Sequence, residues 1–429
     1  MFDSKILTYT MDTKIRKKWR LMHATDFQSL MYPCFVFCRI LVIFPYKIDA
    51  STFKISKPCY FLSSVIICTC CVCYLILIHS IIISKTFTYG DVPKNIEVVC
   101  YCTFSSFIVI ITFILSGPRM RLLQTTLEIS SKLSSESYQK LSRIIHVKDI
   151  LCLILLIMQE YLFFFKVHPQ LEVNCLNVLF GMYINTVVFQ MNMLYINCVC
   201  VLKTCFKSIN DNLMQMERLM VNNIELCVTS LICHVQKNQF LLKELKTMKK
   251  QHLMISETVR VLNLIFSLQL LATVSISFIE ITFELYFYIV RWKDGVFITF
   301  DWYFLDVFLT SMVYYILKLT LIVWACETSK NQAQEIGTTI YSVLNNTRNE
   351  QIKDELELFS LQILHCKSTF SAKGLTIDAT LLTAVSNHLF VLIIKMYILF
   401  IFLISFSDVR QYHDIHINFD TIFNYVTFL

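Results

Sequence analysis

Residues 59–84 read CYFLSSVIICTCCVCYLILIHSIIIS, a stretch that contains no Asp, Glu, Lys or Arg. A helix that crosses a bilayer needs about 20 mostly apolar residues. This stretch is long enough, and its apolar residues are continuous rather than alternating, which argues against the strands of a membrane barrel. The stretch therefore predicts a transmembrane helix and an all-α membrane protein.

Further apolar stretches bring the predicted number of transmembrane helices to seven. They cover residues 98–116, 149–165, 176–202, 261–290, 302–326 and 388–406. The shorter apolar stretch 30–45 contains Arg39 and two prolines. We interpret it as an interfacial or re-entrant segment, and a spanning helix is the alternative.

The composition agrees with a chain whose solvent is largely lipid. Apolar residues make up 56% of the chain and charged residues 16%, against roughly 25% charged residues in soluble proteins. A soluble globule could not bury so much apolar surface. The chain also lacks a phosphate-binding glycine loop, a His-Glu-x-x-His motif and a nucleophile elbow. We therefore expect no enzyme activity, no cofactor, no metal site and no nucleic-acid partner.

Lysine and arginine are distributed unequally between the two sets of connections. Residues 1–58, 117–148, 203–260 and 327–384 carry 30 of these cations, whereas 85–97, 166–175, 291–301 and 407–429 carry 6. The positive-inside rule places the first set in the cytoplasm. The prediction is a cytoplasmic N-terminus and an extracellular C-terminus, opposite to a G-protein-coupled receptor. The sequon at Asn345 would then face the cytoplasm and stay unmodified.

These boundaries divide the chain into six regions. They are a cytoplasmic N-terminal region with the interfacial segment (1–58), helices one to four (59–202), a cytoplasmic helical connection (203–260), helices five and six (261–326), a cytoplasmic anchor segment (327–384), and helix seven with its tail (385–429). Leu213, Met216, Leu219 and Met220 recur at helical spacing, so we expect helices four and five to extend below the membrane. We interpret these long cytoplasmic extensions as an oligomer anchor, and an intramolecular hairpin is the alternative.

Eighteen cysteines are present, and most lie within the predicted spans. Cysteine packs between membrane helices as a small apolar residue, and this is our interpretation of the cluster around Cys70. Only Cys175 lies clearly on the predicted outer side, so no outer disulfide pair is evident.

Ionisable and aromatic residues in spans three to six form the candidate ligand site. Charges inside a membrane are expensive and often functional, and an aromatic pocket with a few polar groups suits a small molecule. We expect Lys318 to pair with an acid on helix five, such as Glu280. The candidate ligand-binding residues are Glu160, Tyr161, Tyr183, Gln190, Glu284, Asp306, Tyr314 and Lys318. Structural ion pairing and helix packing are the alternatives.

Residues 359–382 read FSLQILHCKSTFSAKGLTIDATLL. This segment resembles the C-terminal signature of insect gustatory receptors, which has Leu-Gln-x-Leu-His, then Phe-Ser/Thr-Ala-x-Gly, then Asp followed by a leucine pair. The matching residues are Leu361, Gln362, Leu364, His365, Phe370, Ala372, Gly374, Asp378, Leu381 and Leu382.

The resemblance implies a tastant-gated, nonselective cation channel in the plasma membrane of chemosensory neurons. It also implies a homo- or heterotetramer with other gustatory receptor subunits, and a small-molecule tastant as the ligand. An odorant-receptor-like channel subunit, a G-protein-coupled receptor and a secondary transporter are the alternatives.

The chain departs from this family after Ala384. The family's seventh helix carries Thr-Tyr and, after five apolar residues, Gln-Phe, but no counterpart follows here. Lys395 would instead oppose cation flow. The pair Val385-Ser386 can be encoded by GTAAGT, a splice-donor sequence, so we predict that residues 385–429 are a translated intron. Genuine divergence is the alternative, and no pore residue is assigned.

Overall fold

The computed structural model describes residues 22–49, 52–83, 92–167, 175–221, 231–293, 302–387, 391 and 394. The described chain is mostly helical, as predicted, with two short β-hairpins that the sequence patterns did not predict. Its elements are α1 (Phe27–Ile40), β1 (Tyr46–Asp49), β2 (Thr52–Ile55), α2 (Lys57–Ile78), α3 (Val92–Ile114), α4 (Ser116–Ser130), α5 (Ser135–Leu162), α6 (Cys175–Val221), α7 (Leu231–Lys293), α8 (Trp302–Asn346), α9 (Glu350–His365), β3 (Ser371–Ala372) and β4 (Leu375–Thr376). Residues 379–387 begin a further helix, α10.

Five helices in the described ranges are long and apolar enough to cross a membrane: α2, α3, α6, α7 and α8. They coincide with the first, second, fourth, fifth and sixth predicted spans. The third predicted span forms the second half of α5, where Lys148, Asp149 and Glu160 interrupt the apolar run. Most of the seventh predicted span, 388–406, lies outside the described residues. The count of seven spans therefore stays a prediction.

Helices α6, α7 and α8 are much longer than a bilayer is thick. They contain 47, 63 and 45 residues. At a rise of about 1.5 Å per residue each exceeds about 65 Å, more than twice the roughly 30 Å of hydrocarbon. The fourth and fifth helices are thus long enough to extend beyond a bilayer, as predicted, and the side on which they do so stays a prediction. Helix α6 lies at the centre of the bundle, with 94% of its apolar stretch buried.

The predicted interfacial segment forms α1, a helix of 14 residues. Asp26 begins it with a capping box, because its carboxylate accepts the Ser29 N–H at 2.8 Å while the Ser29 hydroxyl accepts the Asp26 N–H. At about 21 Å, α1 is too short to cross a bilayer. The imidazole of His146 on α5 contacts the Leu30 carbonyl at 3.0 Å, which fixes α1 against the bundle.

Candidate functional site

Successive spanning helices run in opposite directions, so the starts of α3, α6 and α8 meet the ends of α5 and α7 at one end of the bundle. Asn185, near the start of α6, donates a hydrogen bond of 2.5 Å to Glu160, near the end of α5. Tyr288, near the end of α7, stacks on Phe308, near the start of α8, with ring centroids 4.4 Å apart. Five helices therefore surround one region at this end.

Polar side chains in this region are buried or half-buried, and we call them the polar cluster. No side chain among Glu97, Glu280, Tyr314, Tyr315 and Lys318 has more than 8% of its residue surface exposed. Burying so many polar and ionisable groups is costly unless they are paired or serve a function. The members of the polar cluster are Lys94, Glu97, Tyr101, Glu160, Asn185, Glu280, Tyr314, Tyr315 and Lys318.

Of the two lysines of the polar cluster, Lys94 forms an ion pair and Lys318 contacts two tyrosine rings. Lys94 Nζ lies 2.6 Å from a carboxylate oxygen of Glu97. Lys318 is near enough to Glu280 for an electrostatic interaction, but no ion pair within 4 Å joins these two described residues, so the predicted pairing stays a prediction. The Lys318 ammonium also lies 4.4 Å from the ring centroid of Tyr315 and 5.1 Å from that of Tyr314. Both aromatic faces stabilise this positive charge.

The Tyr314 hydroxyl has no hydrogen-bond partner among the described residues, although Tyr314 is only 4% exposed. A buried hydroxyl without a partner costs about 1–3 kcal/mol. Glu160 interacts electrostatically with this hydroxyl and with that of Tyr101. The arrangement leaves a donor and a carboxylate available to a molecule bound beside them.

The eight predicted ligand residues occupy different environments. Glu160, Tyr314 and Lys318 belong to the polar cluster, and Glu284 borders it through its interaction with Glu280. The Tyr183 hydroxyl and the Gln190 amide instead bind the Leu41 and Cys34 carbonyls beside α1, at 2.9 and 3.0 Å. Tyr161 is 58% exposed on the outside of the bundle, and Asp306 is also exposed.

Sequence reasoning missed five residues of the polar cluster, among them Lys94, Glu97, Tyr101 and Asn185. Lys94 and Glu97 lie where the chain was assigned to an outer connection, whereas the structure places them in the first turns of α3. Tyr315 was also missed, although Tyr314, Tyr315 and Lys318 lie within one helical turn. That spacing of aromatic and ionisable residues was the available signal.

A buried arginine lies nearer the opposite end of the bundle. Arg119 on α4 is 3% exposed and donates to the Thr112 carbonyl at 3.0 Å, close to the end of α3. Its guanidinium also lies 4.9 Å from the Phe266 ring centroid on α7. A cation at a helix C-terminus is stabilised by the helix dipole. Arg119 therefore joins α3, α4 and α7, and no carboxylate pairs with it in the part of the chain that the structure describes.

The signature residue Gln362 joins α9 to α7. Its amide nitrogen lies 3.0 Å from the Lys249 carbonyl and 3.1 Å from His252 Nδ1. The His252 ring is 1% exposed and packs edge-on against Phe359 at 5.5 Å. Gln362 therefore satisfies polar groups at the buried contact between two helices.

The next part of the signature forms the hairpin of β3 and β4. Lys373 and Gly374 form its turn with φ angles of 51° and 91°. Asn263 on α7 holds the hairpin, because its amide donates to the Thr369 carbonyl at 2.6 Å and accepts the Ser371 N–H at 3.4 Å. The hairpin is thereby attached to the long helix α7.

Asp378 begins α10 immediately after this hairpin. Its carboxylate accepts the Thr380 N–H at 3.1 Å and the Thr380 hydroxyl. The hydrogen bond from that hydroxyl lowers the pKa of Asp378. Lys330 on α8 lies 3.7 Å from the same carboxylate. The signature aspartate therefore caps α10 and connects its start to α8.

The two signature leucines of α9 lie on its exposed side. Leu361 is 52% exposed and Leu364 63% exposed, and Leu358, at 53%, completes an exposed leucine face. Phe370 and Ala372 are buried instead, at 3% and 0%. The signature thus combines residues that hold the anchor segment together with residues that leave an apolar face uncovered in one subunit.

Comparison with known proteins identifies relatives of this chain. The family model described as 7tm Chemosensory receptor matches residues 31–394. A Drosophila melanogaster protein assigned as gustatory receptor 28b is 30% identical over 149 residues. That alignment covers 32% of this chain and only 30% of the length of the relative.

Two solved structures share the fold. The insect olfactory receptor OR5 from Machilis hrabei superposes with a TM-score of 0.64 at 12% identity, over 87% of this chain and 97% of the receptor. Its complex with eugenol gives a TM-score of 0.65 at 11% identity, over 87% and 98% of the two chains. At these identities the likeness concerns the fold alone.

Proposed function

We propose that this chain, which belongs to the 7tm chemosensory receptor family, is a subunit of a tastant-gated, nonselective cation channel. The observation that carries this proposal is the polar cluster, a buried set of aromatic and ionisable side chains enclosed by five helix ends. Such a site suits a small molecule, and intramembrane charges are retained where they serve a function. The family is one of receptors and not of enzymes.

The proposed topology has seven spans, a cytoplasmic N-terminus and an extracellular C-terminus in the plasma membrane. The distribution of lysine and arginine supports this orientation. Under it, the polar cluster lies in the outer half of the membrane, within reach of dissolved tastants. In the correctly spliced receptor, helix seven would line the pore and would follow the anchor segment.

The proposed assembly is a tetramer, either of this chain or with other gustatory receptor subunits. The exposed leucine face of α9 supports it, because contiguous apolar surface outside the bilayer is normally covered. The gustatory rather than the odorant branch is favoured by the signature around Gly374 and by the gustatory receptor among the relatives.

Because residues 385–429 are predicted to be a translated intron, the proposed function is tested by whole-cell recording from cells that express the transcript as it is spliced in chemosensory tissue. We expect sugars, amino acids or bitter compounds to evoke inward current that persists when the pipette contains a nonhydrolysable GDP analogue. A G-protein-coupled receptor would lose the current under that condition. A secondary transporter would give a current set by the gradient of its substrate rather than by Na⁺ and K⁺. Either result would contradict the channel proposal.

A further inference from the structure

We propose that the polar cluster recognises a cationic ligand, an amphipathic amine or quaternary ammonium compound, with Glu160 as its counter-charge. This inference rests on the proposed function, because it names the class of ligand that the same site takes. The juxtaposition that supports it is a carboxylate that has no cationic partner among the described residues, in a cluster that also contains tyrosine side chains.

The charges of the polar cluster are not balanced. Lys94 is paired with Glu97, and Lys318 interacts with Glu280. Glu160 accepts a hydrogen bond from the neutral Asn185 amide, and in the described ranges no lysine or arginine forms an ion pair with it. A partly buried carboxylate that lacks a cation is costly, and a bound ammonium group would offset that cost.

The polar cluster that contains this carboxylate also contains three tyrosine side chains. Glu160 interacts electrostatically with the hydroxyls of Tyr101 and Tyr314, and the Tyr314 hydroxyl is buried without a partner. Tyrosine faces attract ammonium groups, most strongly where water is excluded. The Lys318 ammonium packs against the rings of Tyr315 and Tyr314, so these tyrosines already stabilise one ammonium group.

An anionic ligand is the competing class, and Lys318 would be its partner. The charge count disfavours it, because the polar cluster contains the carboxyl groups of Glu97, Glu160 and Glu280 but only two lysines. An anion beside Lys318 would lie near the negative charge of Glu280, which already interacts with Lys318. Like charges close together in a site of low dielectric repel strongly.

A pair of isosteric probes tests the proposal on purified full-length protein. Benzyltrimethylammonium carries a permanent positive charge, and neopentylbenzene replaces the ammonium nitrogen by carbon. We expect calorimetric titration to show that the wild-type chain binds the cation at least about tenfold more tightly, or about 1.4 kcal/mol. Equal binding of the two probes, or no binding of the cation, would overturn the proposal without any variant.

The variant Glu160→Gln adds a test of the residue. It should weaken binding of the cation about tenfold, the loss expected for one charge-assisted contact of about 1.4 kcal/mol, and leave the uncharged probe unaffected. The control Glu136→Gln removes an exposed carboxylate that pairs with Lys140 at 2.7 Å far from the cluster, and should change neither affinity. Equal losses for both probes in Glu160→Gln would contradict the assigned role.

The outcome separates the two proposals. Binding of the cation that depends on Glu160, without any evoked current, would support the ligand class and contradict the channel function. Currents evoked only by uncharged or anionic compounds, with no binding of benzyltrimethylammonium, would overturn the ligand class while the channel function stands.

Discussion

The structure explains why the family signature has glycine at position 374. Its φ angle of 91° belongs to a region that residues with a Cβ atom rarely adopt. Together with Lys373, at 51°, it makes the tight turn of two positive φ angles that joins neighbouring antiparallel strands. No other atom would meet an added Cβ within 4 Å, so glycine is needed here for its backbone freedom rather than for space.

We predict that Gly374→Ala lowers the free energy of unfolding by about 1–2 kcal/mol, the cost of the left-handed conformation for an L-residue. The midpoint of thermal unfolding of detergent-purified protein measures it. The matched control is Gly117→Ala on α4, where the added methyl group also meets nothing within 4 Å and the backbone is helical. That change should be neutral or slightly stabilising. If the two variants unfold at the same temperature, the backbone argument is wrong.

At the scale of elements, α9 has one side buried against α7 and one side exposed. Its buried side contains Gln362 and Phe359 against α7, and its exposed side contains Leu358, Leu361 and Leu364. The apolar residues of α9 recur at helical spacing. The hairpin after it was not predicted, since its two-residue strands are too short to show alternation.

We predict that Leu361→Glu prevents tetramer formation while leaving the subunit folded, because a charge would enter an apolar contact between subunits. Light scattering coupled to size-exclusion chromatography measures the assembled mass. The control Ser135→Glu places the same charge at the exposed start of α5, where a helix N-terminus favours it. A Leu361→Glu protein with the mass of the wild type would show that this face is not the interface.

At the scale of the whole molecule, the orientation decides where each end of the bundle lies. The structure places the polar cluster at one end and the extensions of α6, α7 and α8 at the other. Thr339 on α8 donates to Asn210 on α6 at 2.6 Å within these extensions, so they pack as one body. A cytoplasmic location for these extensions is supported only by the distribution of lysine and arginine along the chain.

We predict that Asn345, which is exposed at the end of α8, carries no glycan in intact cells. Its sequon is complete, and a cytoplasmic location keeps it away from the glycosylation machinery of the secretory pathway. An endoglycosidase digest followed by electrophoresis measures this. The control Thr86→Asn creates a sequon with Thr88 in the 85–97 connection, which should become sensitive to the enzyme. A glycan at Asn345 would reverse the topology and revive the G-protein-coupled receptor alternative.

The sequence by itself determined the class of the protein. Uninterrupted apolar runs such as 59–84 predict spanning helices because lipid cannot satisfy backbone groups, and the helix satisfies them within one segment. The signature around Gly374 pointed to the family, and the match to residues 31–394 shows the chemosensory receptor family. The spanning helices and the family signature both depend on which residues follow one another along the chain, and a sequence shows this directly.

Only the tertiary structure decided which side chains meet. Glu160 and Tyr161 are neighbours on one helix, yet Glu160 faces Asn185 whereas Tyr161 is 58% exposed. Successive residues point about 100° apart around a helix. A membrane helix is apolar on the side facing lipid and on the side facing its neighbours, so hydrophobic periodicity cannot tell the two apart. The rotation of each helix is set by packing, and that packing assembles the polar cluster.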